Sequence, residues 1–241
     1  MGVKANDLII YPLSENAVTI EFGNTINETA IGRVMAFDRQ LTNKPFAGMY
    51  QTVPAYATLT VFFDPMEIVY QNELPGKSCF EKVSGYLKGL TDEHNPGLKV
   101  ENDMITIPVC YGGKFGTDME YFTETNRLTV DEVIRMHSES IYKVCMIGFI
   151  PGFTYLGGLN PALEIPRKDT PVKVMPGSVG IGGTQTGIYP LETPGGWQII
   201  GRTPLRMFDA RRQQPSLLKT GDRVKFEPIN FSDFEQYRSE G

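Results

Sequence analysis

Three windows of the sequence concentrate side chains suited to chemistry. Gly148-Phe-Ile-Pro-Gly-Phe-Thr-Tyr-Leu156 sets Phe149, Phe153 and Tyr155 about a Pro-Gly turn. Gly183-Thr-Gln-Thr-Gly-Ile-Tyr-Pro190 offers the amide of Gln185, the hydroxyl of Thr186 and the phenol of Tyr189 in one loop-sized stretch. Gly195-Gly-Trp-Gln-Ile-Ile-Gly-Arg-Thr-Pro204 holds the single tryptophan, Trp197, and Arg202 behind a glycine. Aromatic walls with a few convergent polar groups suit a small-molecule pocket or a protein interface. The alternative is that the aromatics fill a barrel core and the glycines serve its bends. Gln185, Thr186 and Arg202 gain little from burial, so a functional role is the expectation for them.

Most standard chemistries fail on spacing. The glycine-rich stretch 177–187 lacks the Gly-Lys-Ser/Thr of a phosphate loop, and Gln185 stands where a dinucleotide fingerprint needs its last glycine. Ser178 follows Pro176-Gly177 rather than the Gly-x that frames a nucleophile elbow. The two histidines, His94 and His137, and three scattered cysteines make no zinc pattern, so no metal is expected. Cys145 sits in an apolar strand and is expected in the core. His94 adjoins a Pro-Gly turn and is expected at the surface.

These windows must be held by a scaffold, and the patterns suggest two. Short apolar runs at Asp7 to Pro12, Ala17 to Phe22, Met49 to Val53 and Ala57 to Phe63 read as strands. Ala30, Ile31, Val34, Phe37 and Leu41 recur with helical period, as do Phe80, Val83, Leu87 and Leu90. The order β-β-α-β-β-α predicts a two-layer α/β domain over residues 1–97, closed by Asn95-Pro96-Gly97. Beyond it, Lys99 to Tyr111 reads as a strand, Thr117 to Asn126 and Thr129 to Ser138 as helices, and Tyr142 to Phe149 as a strand. Thr129 and Glu132 have capping-box spacing. Between Gly148 and Pro204 lie 12 of the 25 glycines and 8 of the 17 prolines, the composition of a tight-turned β-barrel, here assigned to residues 98–241. The fold class is therefore α+β.

Charge and cysteine usage bound the partners. The formal net charge is −5 with no basic tail, which argues against nucleic acid. Within that acidic chain, residues 149–208 carry a net +2, a setting for an anionic ligand or an acidic partner. No apolar run approaches the roughly 20 residues of a membrane span. An odd, dispersed set of three cysteines reads as reduced thiols in the cytoplasm.

The three windows, together with Pro166-Arg167, Gly177-Ser-Val-Gly-Ile181 and Ile107-Pro-Val-Cys-Tyr-Gly-Gly113, resemble one bacterial family. Its members are described as the B subunit of ATP-dependent 5-oxoprolinase, as allophanate hydrolase subunit 1, or as KipI-type inhibitors of a histidine kinase. Segments such as Glu15 to Gly23 and Val53-Pro-Ala-Tyr56 extend the resemblance over nearly the whole chain. It departs at Pro171-Val172, where the family commonly has a second Pro-Arg pair; Lys173 offers there a point charge rather than a bidentate fork.

The resemblance implies a cyclophilin-like barrel and work in an assembly. With 5-oxoprolinase subunits A and C, this chain would open the lactam of 5-oxoproline to glutamate, with ATP used by the complex although this chain carries no nucleotide motif. Arg202 and Arg167 would meet developing phosphoryl charge. His137 would move protons near neutral pH, or else is a polar residue at a helix end. Phe149, Phe153, Tyr155, Arg167, Gln185, Thr186, Tyr189 and Trp197 would face substrate or partner. The alternative function is docking on a sensor histidine kinase to block it. Allophanate hydrolysis is disfavoured, because no Gly-Ser-Ser-Gly nucleophile segment is present.

Overall fold

The computed structural model describes residues 8–25, 28–92 and 104–240. The chain divides into two compact units, Met1–Val100 and Glu101–Gly241. The boundary expected at 97/98 and the surface position expected for His94 lie outside the described residues.

The first unit contains β1 (Ile9–Ser14), β2 (Ala17–Glu21), β3 (Met49–Pro54) and β4 (Thr58–Phe63), which form one antiparallel sheet in the order β1-β2-β4-β3. Helices α1 (Glu28–Asn43) and α3 (Cys79–Asp92) carry the two periodic stretches seen in the sequence. Val34, Phe37 and Leu41 from α1 and Val83, Leu87 and Leu90 from α3 bury against Val18, Ile20, Leu59 and Val61 of the sheet. Each fully buried aliphatic or aromatic side chain of this kind contributes roughly 1.5–3 kcal/mol. A short helix, α2 (Pro65–Tyr70), has no counterpart in the sequence reading. Asp64 caps it, accepting from the backbone of Met66 at 2.8 Å, and Pro65 occupies its first turn. The ammonium of Lys82 closes its other end by donating to the carbonyls of Ile68, Val69 and Gln71.

The second unit is built on seven strands: β5 (Met104–Tyr111), β6 (Ile141–Ile147), β7 (Thr154–Gly157), β9 (Ser178–Gly182), β10 (Gln185–Ile188), β12 (Gln198–Arg202) and β13 (Arg223–Pro228). They close into a barrel in the order β10-β7-β6-β13-β5-β12-β9. The expected α+β architecture with a C-terminal barrel is present. All neighbours pair antiparallel except β13 and β5, which run parallel. Closure leaves no open edge, which is how a glycine-rich β-unit avoids pairing with other chains. A two-stranded ribbon of β8 (Val172–Val174) and β11 (Thr193–Gly195) stands apart from it.

Helices α4 (Met119–Asn126) and α5 (Val130–Glu139) precede β6, and α6 (Phe231–Glu240) follows β13. The capping box at α5 is formed: Glu132 accepts from Thr129 N at 2.8 Å, and Thr129 Oγ1 accepts from Glu132 N. Both β13 and α6 are absent from the sequence reading.

Candidate functional site

The glycine-rich stretch owes its composition to a neighbour. A Cβ at Gly182 would meet the indole of Trp197 at 2.8 Å, and one at Gly187 would meet the same ring at 2.8 Å. A Cβ at Gly180 would approach Trp197 at 3.1 Å. These glycines alternate with Val179, Ile181, Thr186 and Ile188, which face the barrel interior. The hairpin is thus a platform for Trp197 outside the barrel, and its amides are engaged in strand pairing.

Trp197, Phe153 and Tyr189 are buried together with Val174 and Ile199. Phe153 is the hub, packing edge-on against Tyr155, Tyr189 and Trp197 at centroid separations of 4.6, 4.8 and 5.5 Å. Of the aromatics expected to face a ligand, Phe153, Tyr189 and Trp197 therefore form a covered layer, and Tyr155 is half-buried. Burial raises the Tyr189 and Tyr155 phenol pKa values. Arg167 is exposed and lies over the Trp197 ring at 5.5 Å. Phe149 is 62% exposed and holds φ at +71°, a left-handed conformation that costs a non-glycine residue roughly 1–3 kcal/mol.

His137 corrects an expectation. It is fully buried inside the barrel, stacked on Phe226 at 4.5 Å, and burial lowers its pKa to about 3. Its tautomer follows from its neighbours. Thr186 Oγ1 spends its proton on the Gly180 carbonyl at 3.1 Å, so it accepts from His137 Nε2 at 2.9 Å. His137 Nδ1 then accepts from the Tyr111 hydroxyl at 2.7 Å. A neutral imidazole with both nitrogens engaged does not exchange protons near pH 7. Thr186, expected at a surface, is the buried end of this chain of bonds. Gln185 is half-buried at the start of β10.

Arg202 is the expected residue that faces open space. It lines a cavity of about 720 Å³ between the 176–177 and 190–191 segments, the loop 203–211 and α6. Its Nε donates to the Pro176 carbonyl at 2.6 Å, and its guanidinium lies 5.9 Å over the Phe115 ring. Among the described residues no carboxylate lies within ion-pair distance of it. Burial first, and the charge of Arg238 second, lower its pKa, while Glu235 pulls the other way.

The cavity gathers four arginines, Arg202, Arg206, Arg211 and Arg238, against one carboxylate, Asp209. Asp209 is already spent. It accepts from Arg206 Nη1 at 3.0 Å and from the backbone and side chain of Arg211, which hold its pKa far below the usual carboxylate range. Pro176, Pro190, Leu191, Phe208 and Phe234 supply an apolar wall. Phe208 ties this wall to the first window, since a Cβ at Gly152 would meet it at 2.7 Å. Such a cavity suits an anion; its lining has no second carboxylate and no histidine to act as a general base.

Other cations of the region are engaged elsewhere. Lys168 Nζ meets Asp118 at 2.5 Å, and that carboxylate also accepts from Ile199 N at 2.7 Å. Lys173, the point charge in place of the family arginine, pairs with Glu192 at 2.9 Å on the surface. Sequence reasoning reached Arg202 and the positive balance of its segment. It missed Arg211, Arg238, Phe208 and Asp209, whose only sequence signal is the cluster Asp209-Ala-Arg-Arg212. Among the described residues no group of side chains is suited to hold a metal ion, and no helix is long and apolar enough to cross a membrane.

Comparison with known proteins gives these features a family. The B subunit of 5-oxoprolinase from Bacillus subtilis (strain 168) is 43% identical over 96% of this chain and 97% of its own length. Its counterpart from Escherichia coli O157:H7 is 36% identical over 90% of this chain and 94% of its own. Among solved structures, a conserved uncharacterized protein from Pyrococcus horikoshii is 41% identical over 94% of this chain and 100% of that chain, with a TM-score of 0.54. The Kluyveromyces lactis urea carboxylase shares the fold alone: 18% identity, TM-score 0.73, over 95% of this chain and 22% of that one. Residues 8–218 match the family described as carboxyltransferase domain, subdomain C and D, and the chain belongs to that family, alongside the B subunits of bacterial 5-oxoprolinases.

Proposed function

We propose that this chain is a component of an ATP-dependent 5-oxoprolinase, which opens the lactam of 5-oxoproline to glutamate together with subunits A and C. The observation that carries this reading is the end-to-end likeness to the Bacillus subtilis relative, 97% of whose length is covered at 43% identity. The arginine-lined cavity supports it, because 5-oxoproline is an anion with an apolar ring edge, and the cavity offers both kinds of wall.

The chemistry explains the need for partners. A lactam carbonyl is a poor electrophile; a phosphoryl group transferred from ATP to its oxygen opens the carbon to water and supplies a leaving group. The glycine-rich hairpin does not fit a triphosphate, since Trp197 fills the space above Gly180, Gly182 and Gly187. This chain's own residues bind and orient: Arg202 is preset by Pro176 to meet negative charge, and the proline and phenylalanine wall excludes water. A residue to activate water is then supplied by another subunit, as expected of a component inactive alone.

The test is glutamate release from 5-oxoproline and ATP by this chain mixed with candidate subunits A and C, each omitted in turn. Activity that needs all three supports the reading. Full activity of A and C without this chain contradicts it, and capture of a sensor histidine kinase would then become the next measurement.

A further inference from the structure

We infer that the Arg202 cavity is a phosphoryl subsite, built for a small acid that carries both a phosphoryl group and a carboxylate rather than for a simple carboxylate. The inference rests on the reading above for the ligand's identity but on the cavity alone for its chemistry. Four arginines face it against one carboxylate, a formal excess of three positive charges. A monocarboxylate such as 5-oxoproline cancels one of them. A phosphoryl group together with a carboxylate brings close to three negative charges and enough oxygens for several planar guanidinium forks.

The arrangement of those charges points the same way. Asp209 already accepts from Arg206 and Arg211, and so fixes their orientation without neutralising both. Arg202 and Arg238 line the same cavity, each charge disfavouring the other, and among the described residues neither has a carboxylate at ion-pair distance. A half-buried cation left in that state lacks compensation until an anion arrives. The size of the cavity, about 720 Å³, leaves room for an organic ligand beyond one phosphate. Pro190, Leu191 and Phe208 offer that part a dry wall.

Two sources present this chemistry: a phosphorylated carboxylic acid and a nucleotide. Calorimetric titration of the full chain at low ionic strength separates them, with phosphonoacetate standing for the phosphorylated acid and ADP for the nucleotide. Inorganic phosphate and 5-oxoproline serve as the single-group probes. Phosphonoacetate is expected to bind at least 10-fold more tightly than phosphate or 5-oxoproline. Arg202→Gln and Arg238→Gln are each expected to weaken it about 10-fold or more, and Arg238, exposed on α6, is the variant whose folding is least at risk. Tighter, Arg202-dependent binding of ADP keeps the phosphoryl subsite but overturns its assignment to an acid. Equal binding of 5-oxoproline and phosphonoacetate, or binding indifferent to both substitutions, overturns the subsite.

Failure here is separable from failure of the proposed function. Glutamate release that needs this chain, without phosphonoacetate binding, leaves the function standing and removes the subsite. Arg202-dependent phosphonoacetate binding by a chain dispensable for glutamate release does the reverse.

Discussion

The Arg202 side chain is held by the Pro176 carbonyl, to which its Nε donates at 2.6 Å, and not by any described carboxylate. A backbone acceptor orients the guanidinium while leaving its charge unspent. Arg206 and Arg211, by contrast, are anchored through Asp209. The cavity thus mixes a preset free cation with braced ones, which is how a pre-organised anion site differs from a surface charge cluster.

The buried histidine makes stability depend on pH. His137 titrates at about 3 in the folded chain and near 6.5 when unfolded, so its contribution is complete above pH 6.5. As pH falls below 6.5 the unfolded state binds the extra proton and stability drops, until the folded-state value is reached. The loss across that window is at most about 5 kcal/mol. Urea midpoints between pH 7.5 and 4 should therefore fall, and His137→Gln should start lower but slope less. An identical slope in the variant would contradict this origin.

Trp197 makes the glycines of the hairpin unequal. Gly182→Ala places a methyl 2.8 Å from the indole and is expected to cost about 2 kcal/mol, with a shifted emission maximum from the single tryptophan. Gly183→Ala meets open space and carries only the strain of φ +63°, about 1 kcal/mol. Thermal denaturation and fluorescence of the two variants check the order; equal costs with unchanged emission would contradict it.

The two lysine pairs should also separate. Asp118 binds both Lys168 and the Ile199 amide with little exposure, so Asp118→Ala is expected to cost about 2–3 kcal/mol. Lys173→Ala breaks an open surface pair and is expected to change stability by less than about 0.5 kcal/mol. Chemical denaturation of both variants would contradict the assignment if Asp118→Ala proved neutral.

Much of this was legible in the sequence where one segment carried the whole signal. The apolar spacing of Ala30 to Leu41 and the Thr129–Glu132 box are local, and both helices form there. Asp64-Pro65 was equally local and would have revealed α2 to a closer reading of capping residues. The role of the glycines was not legible, because Trp197 meets Gly182 and Gly187 only after the barrel closes. His137 was misread for the same reason: its helix spacing showed an inward face but not the Tyr111 and Thr186 partners that come from two distant strands. The cavity is the extreme case, since Arg202, Arg211 and Arg238 come from a strand, a loop and a terminal helix.

The most direct test of the account is the activity of the assembled complex carrying Arg202→Gln. The prediction is a fall in kcat/KM for glutamate release of about 100-fold, the scale of one lost charged hydrogen bond to a reacting anion, with thermal stability within about 2 °C of the unmodified chain. Unchanged kcat/KM in a folded, assembled complex would contradict the placement of the functional site in this cavity.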